Sequence, residues 1–136
     1  MLRVLSIAIA IALGLVVLYF SWIPDPAMGK IHWMPRAIGH WADRHGRLRT
    51  GVPFLPLGIL LGLYLTRKRA ILKWWLLVWL GLTSFVSAAE VGQLFIPRRV
   101  FDLRDIFWGS MGSAVGLLFV GTLWHIYRRT LGKLRS

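Results

Sequence analysis

Four apolar runs of roughly 15–25 residues alternate with short segments rich in Arg, Lys and Pro. They cover about residues 4–23, 52–66, 71–95 and 106–127. A helix rises 1.5 Å per residue, so about 20 apolar residues cross a hydrocarbon layer about 30 Å thick. The pattern predicts an all-α polytopic membrane protein with four transmembrane helices. The first run ends at Pro24-Asp25-Pro26. It is longer than the roughly 7–15-residue core of a cleaved signal peptide and no small-residue cleavage site follows, so it reads as a retained helix. Pro53 and Pro56 open the second run and are expected in its first turns, where proline is tolerated.

Between the first two runs, Pro35 is placed to start another helix. Ile38, Trp41, His45 and Leu48 follow at helical spacing, with Arg36, His40, Asp43, Arg44 and Arg47 around them. That is the pattern of an amphipathic helix lying in the headgroup region. Small residues mark the expected packing faces: Gly58 and Gly62 on the second span, Ser84, Ala88 and Gly92 on the third, Gly112 and Gly116 on the fourth. Trp74, Trp75 and Trp79 suit a membrane interface. The 136 residues leave no room for a separate soluble domain, and the chain is expected to form a single transmembrane domain.

Composition agrees: 57% of residues are hydrophobic, mean hydropathy is +0.62, and Trp occurs eight times. There is no cysteine, which excludes disulfides and thiolate chemistry. The net charge of +12 first suggests nucleic acid. The basic residues, however, sit in clusters at the ends of apolar runs, where they act as topology signals, so no nucleic-acid partner is expected. With four spans, Arg3, Arg67, Lys68, Arg69, Lys73, Arg128, Arg129, Lys133 and Arg135 share one side. Lys30, Arg36, Arg44, Arg47, Arg49, Arg98, Arg99 and Arg104 share the other, together with all five acids, Asp25, Asp43, Glu90, Asp102 and Asp105. The acid-free side is expected to be cytoplasmic and to hold both termini. The mixed side has the look of an assembled polar site.

Glu90 stands out within that site. A carboxylate facing lipid costs about 3 kcal/mol, so it is expected to face protein, water or a ligand. Gln93 shares its helical face. Arg98 and Arg99 offer planar forks for a phosphate or carboxylate, or else anchor headgroups. Arg98 and Asp102 can pair if their segment is helical. Glu90 and Asp105 read as an acid/base couple or as structural partners of the arginines, and the second reading is favoured; Asp105 also suits the start of the fourth helix. Glu90, Gln93, Arg98, Arg99, Asp102 and Asp105 are therefore the candidate ligand-binding residues, and no catalytic residue is assigned. His40, Asp43 and His45 invite a metal, but His45 is poorly placed for one and no His-Glu-x-x-His pattern exists, so no metal is expected. No phosphate loop, dinucleotide fingerprint or Gly-x-Ser-x-Gly is present, and no cofactor is implied.

The ordered set Glu90, Gln93, Phe95, Pro97, Arg98, Asp105-Ile106 and Gly112-x-x-x-Gly116 resembles the signature of the VanZ-like family. The stretch Phe54-Leu55-Pro56-Leu57-Gly58 resembles the family's Phe-x-Pro-x-Gly motif. Two departures stand out: Gly109 where the family usually has Asn after the Asp-Ile pair, and Thr50 nearest to its Asn before the second helix. The family takes its name from a protein linked to teicoplanin resistance. The resemblance implies a small membrane protein of the bacterial cytoplasmic membrane with a cell-envelope role, and leaves the chemistry open. The expected activity is binding of an anionic lipid headgroup or a lipid-linked envelope precursor. Its rivals are an enzyme acting on a lipid phosphate or glycolipid, and a non-catalytic partner of envelope-synthesis proteins.

Overall fold

The structure, a computed structural model, describes residues 2–24 and 27–134. Asp25 and Arg135, counted in the charge distribution above, lie outside the described residues, as does Pro26. Five α-helices are present among the described residues: α1 (Leu2–Trp22), α2 (Arg36–Arg44), α3 (Gly46–Arg67), α4 (Leu72–Gln93) and α5 (Leu103–Leu134). A 3-10 turn at Met28–Lys30 precedes α2, and no strand occurs among these residues. Three helices contain stretches long and apolar enough to cross a membrane, within Thr50–Arg67, Leu72–Gln93 and Leu103–Thr130. Ile7–Trp22 of α1 is a shorter apolar helix.

Helix bounds exceed the apolar runs where polar residues continue the hydrogen-bond ladder. α3 starts at Gly46, not near residue 52, so Pro53 and Pro56 fall inside the helix instead of in its first turns. Each proline deprives a carbonyl one turn earlier of its donor, and the helix carries on regardless. Apolar length reports the thickness of hydrocarbon crossed; helix length reports where backbone bonding stops. The amphipathic segment is also corrected. It breaks at His45, whose φ and ψ of −114° and 47° are non-helical, so Leu48 belongs to α3. Pro35 lies just outside α2 as its N-cap residue. The small residues Gly39 and Ala42 make the buried face of α2.

α3 and α5 form the most extensive helix pair, with α4 beside α5 and α1 laid across α3 and α4. Glycines set the α3–α5 approach. A Cβ on Gly112 would collide with the Gly51 carbonyl, one on Gly58 with that of Ser113, and one on Gly116 with that of Leu55. Gly62 lies against Val120. Backbone-to-backbone contact of this kind is available only without side chains. The α4 stripe behaves differently. Ser84 and Ala88 are exposed, and the buried face of α4 is Leu82, Val86, Ala89, Glu90 and Gln93. α4 stands further from its neighbours, and Val17, Phe54, Leu57, Leu82 and Val86 fill the gap as the core. Gly92 serves Trp22, whose indole nitrogen would lie 2.7 Å from an added Cβ and donates to the Ala89 carbonyl at 3.0 Å.

Trp79 turns toward α5. Its indole donates to the Ser110 carbonyl at 3.2 Å, beside a Thr83–Ser110 hydroxyl bond of 2.9 Å, tying α4 to α5 within the bundle. The outward faces are greasy: Leu72, Leu76 and Leu80 on α4 and Phe107, Val115 and Leu118 on α5 are exposed. Apolar surface on this scale is what a bilayer covers.

The seam predicts a contrast between two glycines. Gly112→Ala must push α3 from α5, and a loss of about 1–3 kcal/mol is expected from forced overpacking. Gly81 has nothing within 4 Å of an added Cβ, so Gly81→Ala should be neutral or stabilising by up to about 1 kcal/mol through helix propensity. Thermal melts in one detergent compare the two; equal melting temperatures would remove the close-approach argument.

Candidate functional site

Glu90 is only 2% exposed, although it occupies the last turn of a hydrophobic helix. Its burial follows from register, because it shares the inward face of α4 with Val86, Ala89 and Gln93. A buried carboxyl group needs hydrogen bonds. Gln93 Nε2 donates to Glu90 Oε1 at 2.7 Å, and the Asp102 backbone N–H donates to Oε2 at 3.5 Å. The same Gln93 nitrogen donates to Ser21 Oγ of α1 at 2.9 Å, so one amide group links α1 to the carboxyl.

The segment after α4 is a turn, not a helix, which rules out the Arg98–Asp102 pairing along a helix considered above. Arg99 N–H bonds the Ile96 carbonyl at 3.2 Å, with Pro97 second and Arg98 third in the turn at a φ of 67°. Proline followed by a left-handed residue is the pattern of a type II turn. This turn leaves Arg98 exposed and returns Arg99 toward the bundle. There Arg99 Nε donates to the Ile23 carbonyl at 2.8 Å and Nη2 to the Phe20 carbonyl at 2.9 Å. A guanidinium at the end of α1 satisfies carbonyls that have no helical donor and opposes the negative end of the helix dipole. Asp102 caps α5, its Oδ1 accepting the Arg104 N–H at 2.8 Å. Asp105 lies in the first turn of α5, as expected, while the side-chain cap is made by Asp102, the residue immediately before the helix.

Glu90, Gln93, Arg99 and Asp105 line one cavity of about 290 Å³. α1 contributes Phe20 and Ser21, α3 contributes Thr50 and Phe54, and α2 contributes Ile38, Trp41 and Ala42. The cavity therefore has a polar patch, apolar walls and one side made by the amphipathic helix. Of the candidate ligand-binding residues, Arg98 and Asp102 are exposed and do not line it. Ser21 was missed as a contributor. A single hydroxyl one turn before Pro24 carried little signal, and only the packing of α1 against α4 brings it to Gln93. A second, mostly apolar groove of about 570 Å³ lies along α1, α3 and α4, between Gly14, Leu61 and Phe85.

The histidines have other roles. His45 Nδ1 lies 3.0 Å from the Trp41 carbonyl and its ring stacks on Trp41 at 5.2 Å. Asp43 accepts the Gly29 N–H at 2.9 Å, joining α2 to the 3-10 turn. Among the described residues no group of three or more His, Asp or Glu side chains is assembled to hold a metal. At Gly109, one of the departures from the family pattern, an added Cβ would come within 2.8 Å of Val86 Cγ2. Val86 thus occupies the space into which a side chain at that position would project.

A family model described as VanZ/LLP1 matches residues 7–125. Neither a curated protein nor a solved structure matches the chain.

The two adjacent arginines should respond in opposite directions. Arg99→Lys loses the planar fork that reaches two carbonyls at once, and about 1–3 kcal/mol of stability is expected to go with it. Arg98→Gly relieves a left-handed backbone at an exposed position and should be neutral or stabilising by up to about 1–2 kcal/mol. Denaturant unfolding in mixed micelles measures both. An Arg99→Lys variant as stable as wild type would show that the carbonyl contacts contribute nothing.

Proposed function

The chain belongs to the VanZ/LLP1 family, and from that premise we propose that it is a cell-envelope protein of the bacterial cytoplasmic membrane. In this reading it binds the head group of a membrane lipid or lipid-linked envelope precursor in the Glu90 cavity; the anionic head group expected from Arg98 and Arg99 is not carried over, because Arg98 lies outside the cavity and Arg99 donates to the end of α1. The observation that carries the reading is a buried carboxyl group on the wall of an open cavity. A polar group among apolar helices is expensive to keep, and such groups usually mark a path or a site. The cavity is also amphiphilic in the right sense. Its polar patch lies at the loop end of α4, and the apolar groove along α1, α3 and α4 leaves room for a hydrocarbon tail. Trp41 and Ile38 of α2 cover the region where a head group would enter from the interface. We further propose that both termini and the α3–α4 loop are cytoplasmic, which puts the cavity in the outer leaflet.

Filling or neutralising the cavity tests the reading. Ala42 is 6% exposed and lines it, so Ala42→Leu should displace a bound head group while leaving α3 and α5 packed. Native mass spectrometry of gently solubilised protein should show a co-purifying lipid on wild type, less on Ala42→Leu and less on Glu90→Gln. An identical lipid profile on all three would sink the proposal.

Orientation has its own test, simplified by the absence of cysteine. Cysteine introduced at exposed Val100 should react with a membrane-impermeant maleimide from the outer face of the membrane. Cysteine introduced at exposed Lys68 should react only once the membrane is breached. The opposite pattern would move the cavity to the cytoplasmic leaflet.

A further inference from the structure

Resting on the reading that a lipid head group enters the Glu90 cavity, we infer that this group is a hydrogen-bond donor without net negative charge, a sugar hydroxyl or an ammonium, and that a bare phosphate is refused. The wall's hydrogen-bond inventory leads there. The two N–H bonds of the Gln93 amide go to Ser21 Oγ and Glu90 Oε1. Arg99, the one cation on the wall among the described residues, directs Nε and Nη2 at the end of α1. The start of α5 would be the natural seat for an anion, since helix N-termini present free N–H groups. Here three of those amides point elsewhere: Asp102 N–H toward Glu90 Oε2 at 3.5 Å, Arg104 N–H to the Asp102 side chain and Asp105 N–H to the Asp102 carbonyl. The other polar groups on this largely apolar wall are the Glu90 and Asp105 carboxyl groups and the Gln93 carbonyl, which accept, and the Ser21 and Thr50 hydroxyls, which accept and donate; Asp105 already has a partner within the protein.

Charge leads to the same class of ligand. One arginine faces two carboxyl groups, so the wall carries no net positive charge whether or not Glu90 holds a proton. A phosphate would bring further negative charge against these carboxyl groups, where low dielectric magnifies repulsion. An ammonium or a hydroxyl meets acceptors instead, and the Trp41 and Phe20 rings add a cation–π or apolar contact. The volume of 290 Å³ falls near the lower end of ligand pockets, about 300–1,000 Å³, which suits one head-group moiety and not an oligosaccharide.

The test is competitive retention by the full chain, read by native mass spectrometry. Three lipids with identical acyl chains are used: monoglucosyl diacylglycerol, phosphatidylethanolamine and phosphatidic acid. Wild type should retain the glucosyl lipid or the ethanolamine lipid about tenfold or more over phosphatidic acid. Which of the two leads identifies hydroxyl or ammonium as the donor. The wild-type ranking needs no variant to fold. Asp105→Asn, at a half-buried position, should narrow the preference by replacing an acceptor with an amide that also donates. Glu90→Gln should narrow it as well. Phosphatidic acid retained as well as both donors, with retention still sensitive to these substitutions, would overturn the inference and spare the proposed function. A donor preference that survives both substitutions would put the contact elsewhere and overturn the inference. Retention indifferent to lipid and to substitution would overturn both.

Discussion

A carboxyl group cannot be left in hydrocarbon, and the loop end of this bundle is arranged around that cost. Glu90 is fixed to the inner face of α4 by helix register, so partners must come to it. Gln93 is supplied by the same helix, one turn on, and the Asp102 amide by the turn that follows. The second Gln93 hydrogen bond recruits Ser21 and thereby the end of α1. The end of α1 thus meets the end of α4 and the segment that follows it, 72 residues on, because one side chain requires satisfaction.

That meeting needs two firm supports. One is the glycine seam, where α3 and α5 touch backbone to backbone at Gly51, Gly58, Gly112 and Gly116. The other is the anchoring of α1, a helix with little polar grip of its own. Arg99 holds its terminal carbonyls, and Trp22 lies over Gly92 to reach the Ala89 carbonyl. With α1 held at its end and α3 held at its back, the space between them is a cavity where the amphipathic α2 packs, with small residues inward. The cavity is thus a consequence of where rigid contacts occur, and its polar patch of where Glu90 must be satisfied.

Membership of the VanZ/LLP1 family frames the function without assigning a reaction. The departures from the family's pattern fall in or beside the cavity. Thr50 lines it with a hydroxyl, while Gly109 yields its space to Val86.

Much of the architecture was legible because hydrophobic length and period are properties of the chain itself. The runs at residues 4–23 and 71–95 lie within two residues of α1 and α4, and the amphipathic helix after Pro35 was legible as far as Arg44, though not its break at His45. The improbability of a lipid-facing carboxylate pointed to Glu90 before any coordinates. Spacing alone could not say which small residues touch a neighbour: Gly112 does, whereas Ser84 and Ala88 face outward. Nor could it separate Arg98 from Arg99. A single left-handed residue in the turn after Pro97 sends one to the surface and the other to the carbonyls of α1. Periodicity is local and survives in one dimension. Contacts such as Ser21 to Gln93, 72 residues apart, depend on how helices are rotated and seated against one another, and only the tertiary structure decides that.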